Sequence, residues 1–491
     1  MNFKKQHIAF IIFVALIFGG IGLFAGMQIN QATLEQPQTL NNDKNGEQIE
    51  NENENDNIDE EIEGLDKVSK AFSLIKENYL EEIDDKELIE GAIHGMLDTL
   101  EDPYSAYMDE QQTEQFNEEI ESSFEGIGAE VSMVNGKVTI VAPIKDSPAE
   151  EAGLRPNDQI LKIDNESIEG LDLNEAVSKI RGERGTEVVL EIQRPGSSET
   201  FEVTLIRDKI PIETVFDSIH EENGKKTGIL EVASFSQTTS EEFFNALDDM
   251  EKDGIDGLII DVRGNPGGLL NSIEEILQEF IPKDVPYIQT EDRSGVKTPF
   301  YSNLEEKKDY PISVLIDEGS ASASEILAVA MKEIGYQVVG KPSFGKGTVQ
   351  NAMPIGENST LKLTLYKWLS PEGNWIHDVG VEPTLEVEQP DYYYSNPVQI
   401  EEPLQYDETG SQIENVQVML NGIGYETDRM DGYFDRSTEK AVKEFQEDND
   451  LEATGKVDEE TAGMIQTEVV DRIRNNEDDV QLEKALEHLY E

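Results

Sequence analysis

Residues 318–335 read EGSASASEILAVAMKEIG, and their surroundings decide the architecture. Just upstream, PISVLID (311–317) is an apolar run of strand length, and a helical apolar pattern begins within the stretch itself. The same alternation recurs on both sides. GLIIDVRGNPGGLL (257–270) is a buried-strand run closed by a Gly-rich turn, and YQVVG (336–340) is a third strand run, with helical patterns between them. Strands alternating with helices predict an α/β layer architecture. Ser322 therefore falls on a strand-to-helix connection, close to a helix N-terminus. There unpaired N–H groups and the helix dipole favour developing negative charge.

A nucleophilic serine needs a base, most often histidine. The chain has 5 histidines: His7, His94, His220, His377 and His488. They are scattered and none has an informative surrounding motif, so nothing recommends a Ser-His-Asp triad. KPSFGKGTVQ (341–350) offers a lysine instead. Lys346 lies between Gly345 and Gly347, beside Phe344, and Gln350 follows four residues on. A lysine works as a base near pH 7 only if burial lowers its pKa from about 10.4 to about 7–8. An apolar neighbour and a closely packed glycine backbone would supply that burial. A Gly-Lys-Gly alone is an ordinary solvated turn; its pairing with the serine stretch gives it meaning.

Together, DVRGNPGGLL, GSASASEI and FGKGTVQ, in that order, resemble the carboxy-terminal processing (tail-specific) proteases, a serine peptidase family with a Ser–Lys dyad. The resemblance covers about residues 65 to 395. It implies a crotonase- or Clp-protease-like layered α/β core, Ser322 as nucleophile, Lys346 as general base and Gln350 as the residue orienting that base. Ser320 and Ser324 become turn and helix-cap residues. The oxyanion hole would use the N–H of Ala323 and a glycine of the Asn265–Gly268 turn, either Gly267 or Gly268. Asp261 and Arg263 are expected to shape that turn. No metal or cofactor is implied.

Between residues 115 and 208 short β-rich runs alternate with Gly, Asn and Asp turns, interrupted by one short helix. DSPAEEAGLRPNDQILKIDNESI (146–168) resembles a PDZ domain. Such a domain takes an extended peptide as an added strand and holds its C-terminal carboxylate on backbone N–H groups. Gly126, Ile127, Gly128 and Ala129 match the carboxylate-binding loop, and Val177 and Ile180 are candidate pocket walls. Inserted between N-terminal helices and the protease core, the domain could rest against the active-site cleft. Arg181 is the candidate to bridge that contact through backbone carbonyls, or else an exposed cation at a helix end.

The flanks set context. Lys4 and Lys5 precede an uncharged apolar stretch, residues 8–29, long enough to span a bilayer. A signal anchor over 1–30 is expected, with the rest outside the cell, at the cell membrane; a cleaved signal peptide is the rival. Residues 31–64, rich in Asn, Glu and Asp, read as a tether. Helical spacing at Leu65, Val68, Phe72, Ile75 and Tyr79, and again from Leu88 to Leu100, predicts core helices within 65–114. After the protease core (209–395), residues 408–470 resemble a helical peptidoglycan-binding domain through Gly424-Tyr425, Asp431-Gly432, Phe445-Gln446 and Thr454-Gly455. Asp435 departs from that pattern, because glycine commonly follows the Phe. Residues 471–491 read as an acidic tail.

Composition narrows the partners. With 104 acidic and 39 basic residues the net charge is −65, which repels nucleic acid. The chain has no cysteine, so disulfides and thiolate sites are excluded. The expectation is a multidomain, membrane-anchored endopeptidase acting on protein C-termini, with cell-wall peptidoglycan as a further partner and a homo-oligomer compatible with the layout. The rival class is a non-catalytic envelope scaffold, against which Ser322, Lys346 and Gln350 stand together. A cell-wall hydrolase would require a zinc site or a carboxylate pair, and neither is marked.

Overall fold

A computed structural model describes residues 64–491 except 135, 196–198, 357 and 401. The expected anchor and nearly all of the tether lie outside the described residues. Among those described, no helix is long and apolar enough to cross a membrane. The described chain forms two units, one of residues 117–348 and 366–491, the other of the remainder up to 116 plus 349–365.

In the first unit, the strand runs seen in sequence form one sheet. Its order is Val215–Glu222, Lys225–Val232, Gly257–Asp261, Ile312–Ile316, Gln337–Gly340 and Leu385–Glu386. All neighbours are parallel except the first pair, a hairpin. Helices Thr239–Asp253, Leu270–Leu277 and Ala323–Glu333 link successive parallel strands. Every residue of Gly257–Asp261 and Ile312–Ile316 is buried. A parallel sheet buried on both faces needs a cover on each. One cover comes from the far end of the chain. Residues 471–491, expected as an acidic tail, contain the end of helix Glu459–Arg474 and a further helix, Val480–His488. Leu482, Ala485 and Leu489 of that last segment pack on Ile259, Leu315 and Val339.

The inserted β domain stands on its own core. Ile140, Leu190 and Ile192 have no exposed surface, and strands Gln159–Ile163 and Glu187–Gln193 pair antiparallel at its centre. Where the insertion begins and ends, Ser123–Gly126 pairs with Asp208–Pro211.

The C-terminal helices Ser411–Gly422, Arg436–Asp448 and Glu459–Arg474 enclose Phe434, Phe445 and Ile465. The same device is built twice. Buried Gln417 accepts from Gly432 N and donates to Tyr433 O and Thr438 Oγ1. Buried Gln446 accepts from Gly455 N and donates to Lys456 O and Thr461 Oγ1. Asp435, the departure from the family pattern, has an extended backbone that needs no glycine. Its carboxylate caps the following helix, accepting from Ser437 N and Thr438 N at 3.0 and 2.9 Å.

In the second unit, strand Ala106–Met108 pairs antiparallel with Thr360–Lys362. Helices Leu65–Asn78 and Asp85–Asp98, expected to be core helices, bury none of their residues. Leu65, Val68 and Met96 are more than half exposed. Periodicity identifies an apolar face but not whether anything covers it.

Candidate active site

The serine stretch follows strand Ile312–Ile316, and its three hydroxyls have different fates. Ser320 Oγ donates to Val262 O at 2.8 Å, and Ser324 Oγ donates to Asn265 O at 2.9 Å; both serines are fully buried. Ser324 thus lies inside the helix and ties it to the glycine turn, instead of capping it. Ser322 alone is partly exposed, with φ 54° and ψ −110°. Such a backbone costs a side-chain-bearing residue on the order of 1–3 kcal/mol and is held only by its surroundings.

Glu325 holds it. This carboxylate has no exposed surface and accepts from Ser322 N (2.8 Å), Lys346 N (2.8 Å), Gly345 N (2.6 Å) and Ser343 Oγ (2.6 Å). Burial pushes its pKa up, against the pull of those four donors. One side chain therefore brings together the backbones of the proposed nucleophile and base. Sequence reasoning passed over it, although S-x-x-E at a helix start is a recognisable pattern.

Lys346 is 5% exposed. The chain's 2 tryptophans fix its segment: Trp368 Nε1 donates to Lys346 O at 2.8 Å and Trp375 Nε1 to Gly347 O at 2.7 Å. Phe344, expected to shield the lysine, is itself 58% exposed. It is placed by its N–H, which donates to Ser320 O. A Cβ on Gly347 would lie 2.7 Å from Trp375 Nε1 and 2.9 Å from His377 Cβ, so the lysine loop has no room for a side chain there. Gln350 belongs to the other unit, where its Nε2 donates to Thr364 Oγ1 at 3.1 Å.

The glycine turn lies against Ser322. A Cβ on Gly267, at φ +104°, would come within 2.8 Å of Ala321 O and Ser322 Cβ. The two candidate N–H groups here differ. That of Gly267 goes to Asn265 Oδ1 at 2.8 Å, whereas no acceptor among the described residues takes that of Gly268. Ala323 opens the helix, so its N–H has no intrahelical partner. Arg263 and Asp261 form a bonded pair behind the turn, with Arg263 Nη2 to Asp261 Oδ2 at 2.6 Å.

In the PDZ-like domain the Gly126–Ala129 loop is anchored by its carbonyls: Ala149 N and Ile144 N donate to Ile127 O and Gly128 O, each at 2.8 Å. Gly128 has φ +71°, and a Cβ there would strike Ser147 Cβ at 2.3 Å. Ile127 and Ile180 are core residues, 2% and 5% exposed; Val177 and Ala129 pack at the edge of that core. Arg181 meets a carboxylate and an aromatic ring in place of the expected carbonyls. Its Nη1 donates to Glu118 Oε2 at 2.8 Å, and its guanidinium lies 4.7 Å from the Phe124 ring centre. At this helix end the carbonyls are bound by Arg207, buried and bonded to Ile180 O and Lys179 O as well as to Glu187 O. Nothing in its local sequence marks it.

Comparison with known proteins agrees with this layout. Family models match for peptidase family S41 over residues 226–387, a PDZ domain over 139–194, a peptidoglycan binding domain over 409–465 and the activating protease CtpB N-terminal domain over 16–112. The chain is 48% identical over 477 residues to the carboxy-terminal processing protease CtpB of Bacillus subtilis (strain 168), covering 97% of both chains. It is 40% identical over 426 residues to the carboxy-terminal processing protease CtpA of the same organism, covering 87% of this chain and 90% of that one. A parallel α/β core, an inserted PDZ domain and near full-length similarity converge on one assignment: the chain belongs to the S41 family of carboxy-terminal processing serine proteases.

Proposed function

We propose that this serine peptidase cleaves with a Ser322–Lys346 dyad. The observation that carries the proposal is the buried Glu325 carboxylate, which accepts N–H bonds from both residues. In this reading Lys346 Nζ removes the Ser322 Oγ proton as Oγ attacks the scissile carbonyl. Ala323 N–H and Gly268 N–H receive the oxyanion, worth about 10²–10³ in rate per donor in comparable sites. The lysine then returns the proton to the leaving amine, and water hydrolyses the acyl-enzyme. Gln350, four residues beyond the base, orients it. Ser322→Ala and Lys346→Ala are expected to abolish peptide cleavage in folded protein, with Gln350→Ala costing less. Turnover persisting in folded Ser322→Ala, followed by quenched-fluorescence peptide cleavage, would refute the dyad.

The PDZ domain captures substrate C-termini on the Gly126–Ala129 loop, and Arg181 couples its helix to Glu118. Support comes from the anchored loop carbonyls and the Arg181–Glu118 ion pair. A peptide with a free carboxylate and an apolar last residue should bind more tightly than its amide, because the loop N–H groups lose a charged acceptor. It should also stimulate cleavage of a short reporter, and Arg181→Ala should remove the stimulation without changing peptide affinity. Equal affinity for acid and amide in a titration would exclude carboxylate capture. The apolar segment at residues 8–29 anchors the enzyme at the cell membrane with its catalytic part outside, and the C-terminal helical domain holds it to peptidoglycan.

A further inference from the structure

We infer that the C-terminal segment reaches the catalytic machinery through Asp479, a positioning residue for the oxyanion turn, while Leu482, Ala485 and Leu489 only dock the segment on the sheet. The inference rests on the dyad reading above. Asp479 is 3% exposed and meets Arg263 end-on: Nη1 to Oδ1 at 2.9 Å and Nη2 to Oδ2 at 2.8 Å. The remaining Arg263 donors go to Asp261 and to Gln481 Oε1. All five N–H groups of the guanidinium are thereby engaged, and two of its partners come from residues more than 200 positions away. Burial works against the Asp479 charge, yet the guanidinium holds its carboxyl below the usual range. Asp479 is fixed in turn by Gln389 Nε2 at 2.6 Å and by Leu482 N at 2.9 Å, the latter capping the last helix.

Arg263 lies directly in the turn that touches the nucleophile. On one side of it Val262 O receives Ser320 Oγ; on the other, Gly264 N donates to Asp317 Oδ1. Asn265 O receives both Ala321 N and Ser324 Oγ. A shift of Arg263 would therefore be passed to Gly267 and Gly268. Gly257 is moulded to the same segment, since a Cβ there would meet Leu489 Cδ2 and Tyr490 Oη, each at 2.8 Å. A carboxylate that fixes the turn from behind acts on the transition state, not on substrate capture.

The test uses the full-length enzyme and a peptide boronic acid, whose tetrahedral boronate mimics the oxyanion. Asp479→Ala should lower kcat about 10- to 100-fold with KM within about twofold, since small misplacements at a reacting centre cost up to about 10²-fold. Boronate affinity should fall by the same factor as kcat/KM, while C-terminal peptide affinity at the PDZ domain stays unchanged. Leu482→Ala, which removes only packing, should lower the melting temperature and leave kcat within twofold below the transition. If Asp479→Ala fails to fold, Asp479→Asn keeps the shape and the Leu482 cap, and is expected to give the same pattern. Unchanged kcat in a folded Asp479 variant, or an equal kcat loss in Leu482→Ala, overturns the positioning role. The unmodified enzyme and its Ser322→Ala variant are the references; turnover persisting in folded Ser322→Ala would instead overturn the dyad, and this inference with it.

Discussion

Four donors converge on the Glu325 carboxylate, and two of them belong to Ser322 and Lys346. Glutamine has nearly the same shape, but its NH2 group would face N–H donors in place of an acceptor, leaving buried groups unpaired at about 1–3 kcal/mol each. Glu325→Gln should therefore lower kcat by about 10- to 100-fold, because the backbones of the proposed nucleophile and base lose their common anchor. Serine-probe labelling rates of folded variant and parent check this, and equal rates would reduce Glu325 to a helix cap. The place of Ser322 between strand and helix was legible in the sequence. Glu325 was equally visible in the string, but its length of reach was not: the bonds to Gly345 and Lys346 span about twenty residues of intervening chain.

At the scale of elements, the helix Leu173–Ile180 ends on carbonyls that Arg207 satisfies from the last PDZ strand region. A helix end buried without such a partner is unstable. Arg207→Ala should leave Ile180 O and Lys179 O unpaired and should weaken amide hydrogen-exchange protection across residues 173–193 of the intact enzyme. Protection equal to the parent's would mean that water replaces the guanidinium at no cost. The alternation of strands and helices in the core was readable because buried parallel strands give continuous apolar runs. The N-terminal helices misled for a related reason: an apolar stripe is the same whether another layer covers it or not.

Across the whole molecule, acidity and burial meet at a few sites. Glu274, on helix Leu270–Leu277 beside the glycine turn, is pushed up to about 7 by burial, with Glu275 adding repulsion. Its folded pKa lies above the ordinary 4.5. The folded state therefore holds the proton more tightly, and this stability is fully present below about pH 4.5 and is lost as pH rises through about 7. The protease-core melting temperature should decline between pH 5 and pH 8, and Glu274→Gln should flatten that decline. An undiminished slope in Glu274→Gln would assign it to other carboxylates. Asp479 has the opposite sign: its depressed pKa contributes stability above the usual carboxylate range, lost in acid as the ion pair with Arg263 is protonated away.

The sequence by itself determined the family, the α/β core and the inserted PDZ domain, and it named Ser322 and Lys346 as candidates, because each rests on a local pattern of residues a few positions apart. Tertiary structure decided what depends on distant partners. It separated Gly267 from Gly268 by their hydrogen bonds, gave Arg181 a carboxylate in place of carbonyls and made Arg207 the helix cap. It also turned a stretch read as an acidic tail into a helix on the catalytic sheet. Leu482, Ala485 and Leu489 look unremarkable among so many charges. Only a sheet with an open apolar face and an arginine short of acceptors gives them a place, and that complementarity exists between surfaces, not along the chain.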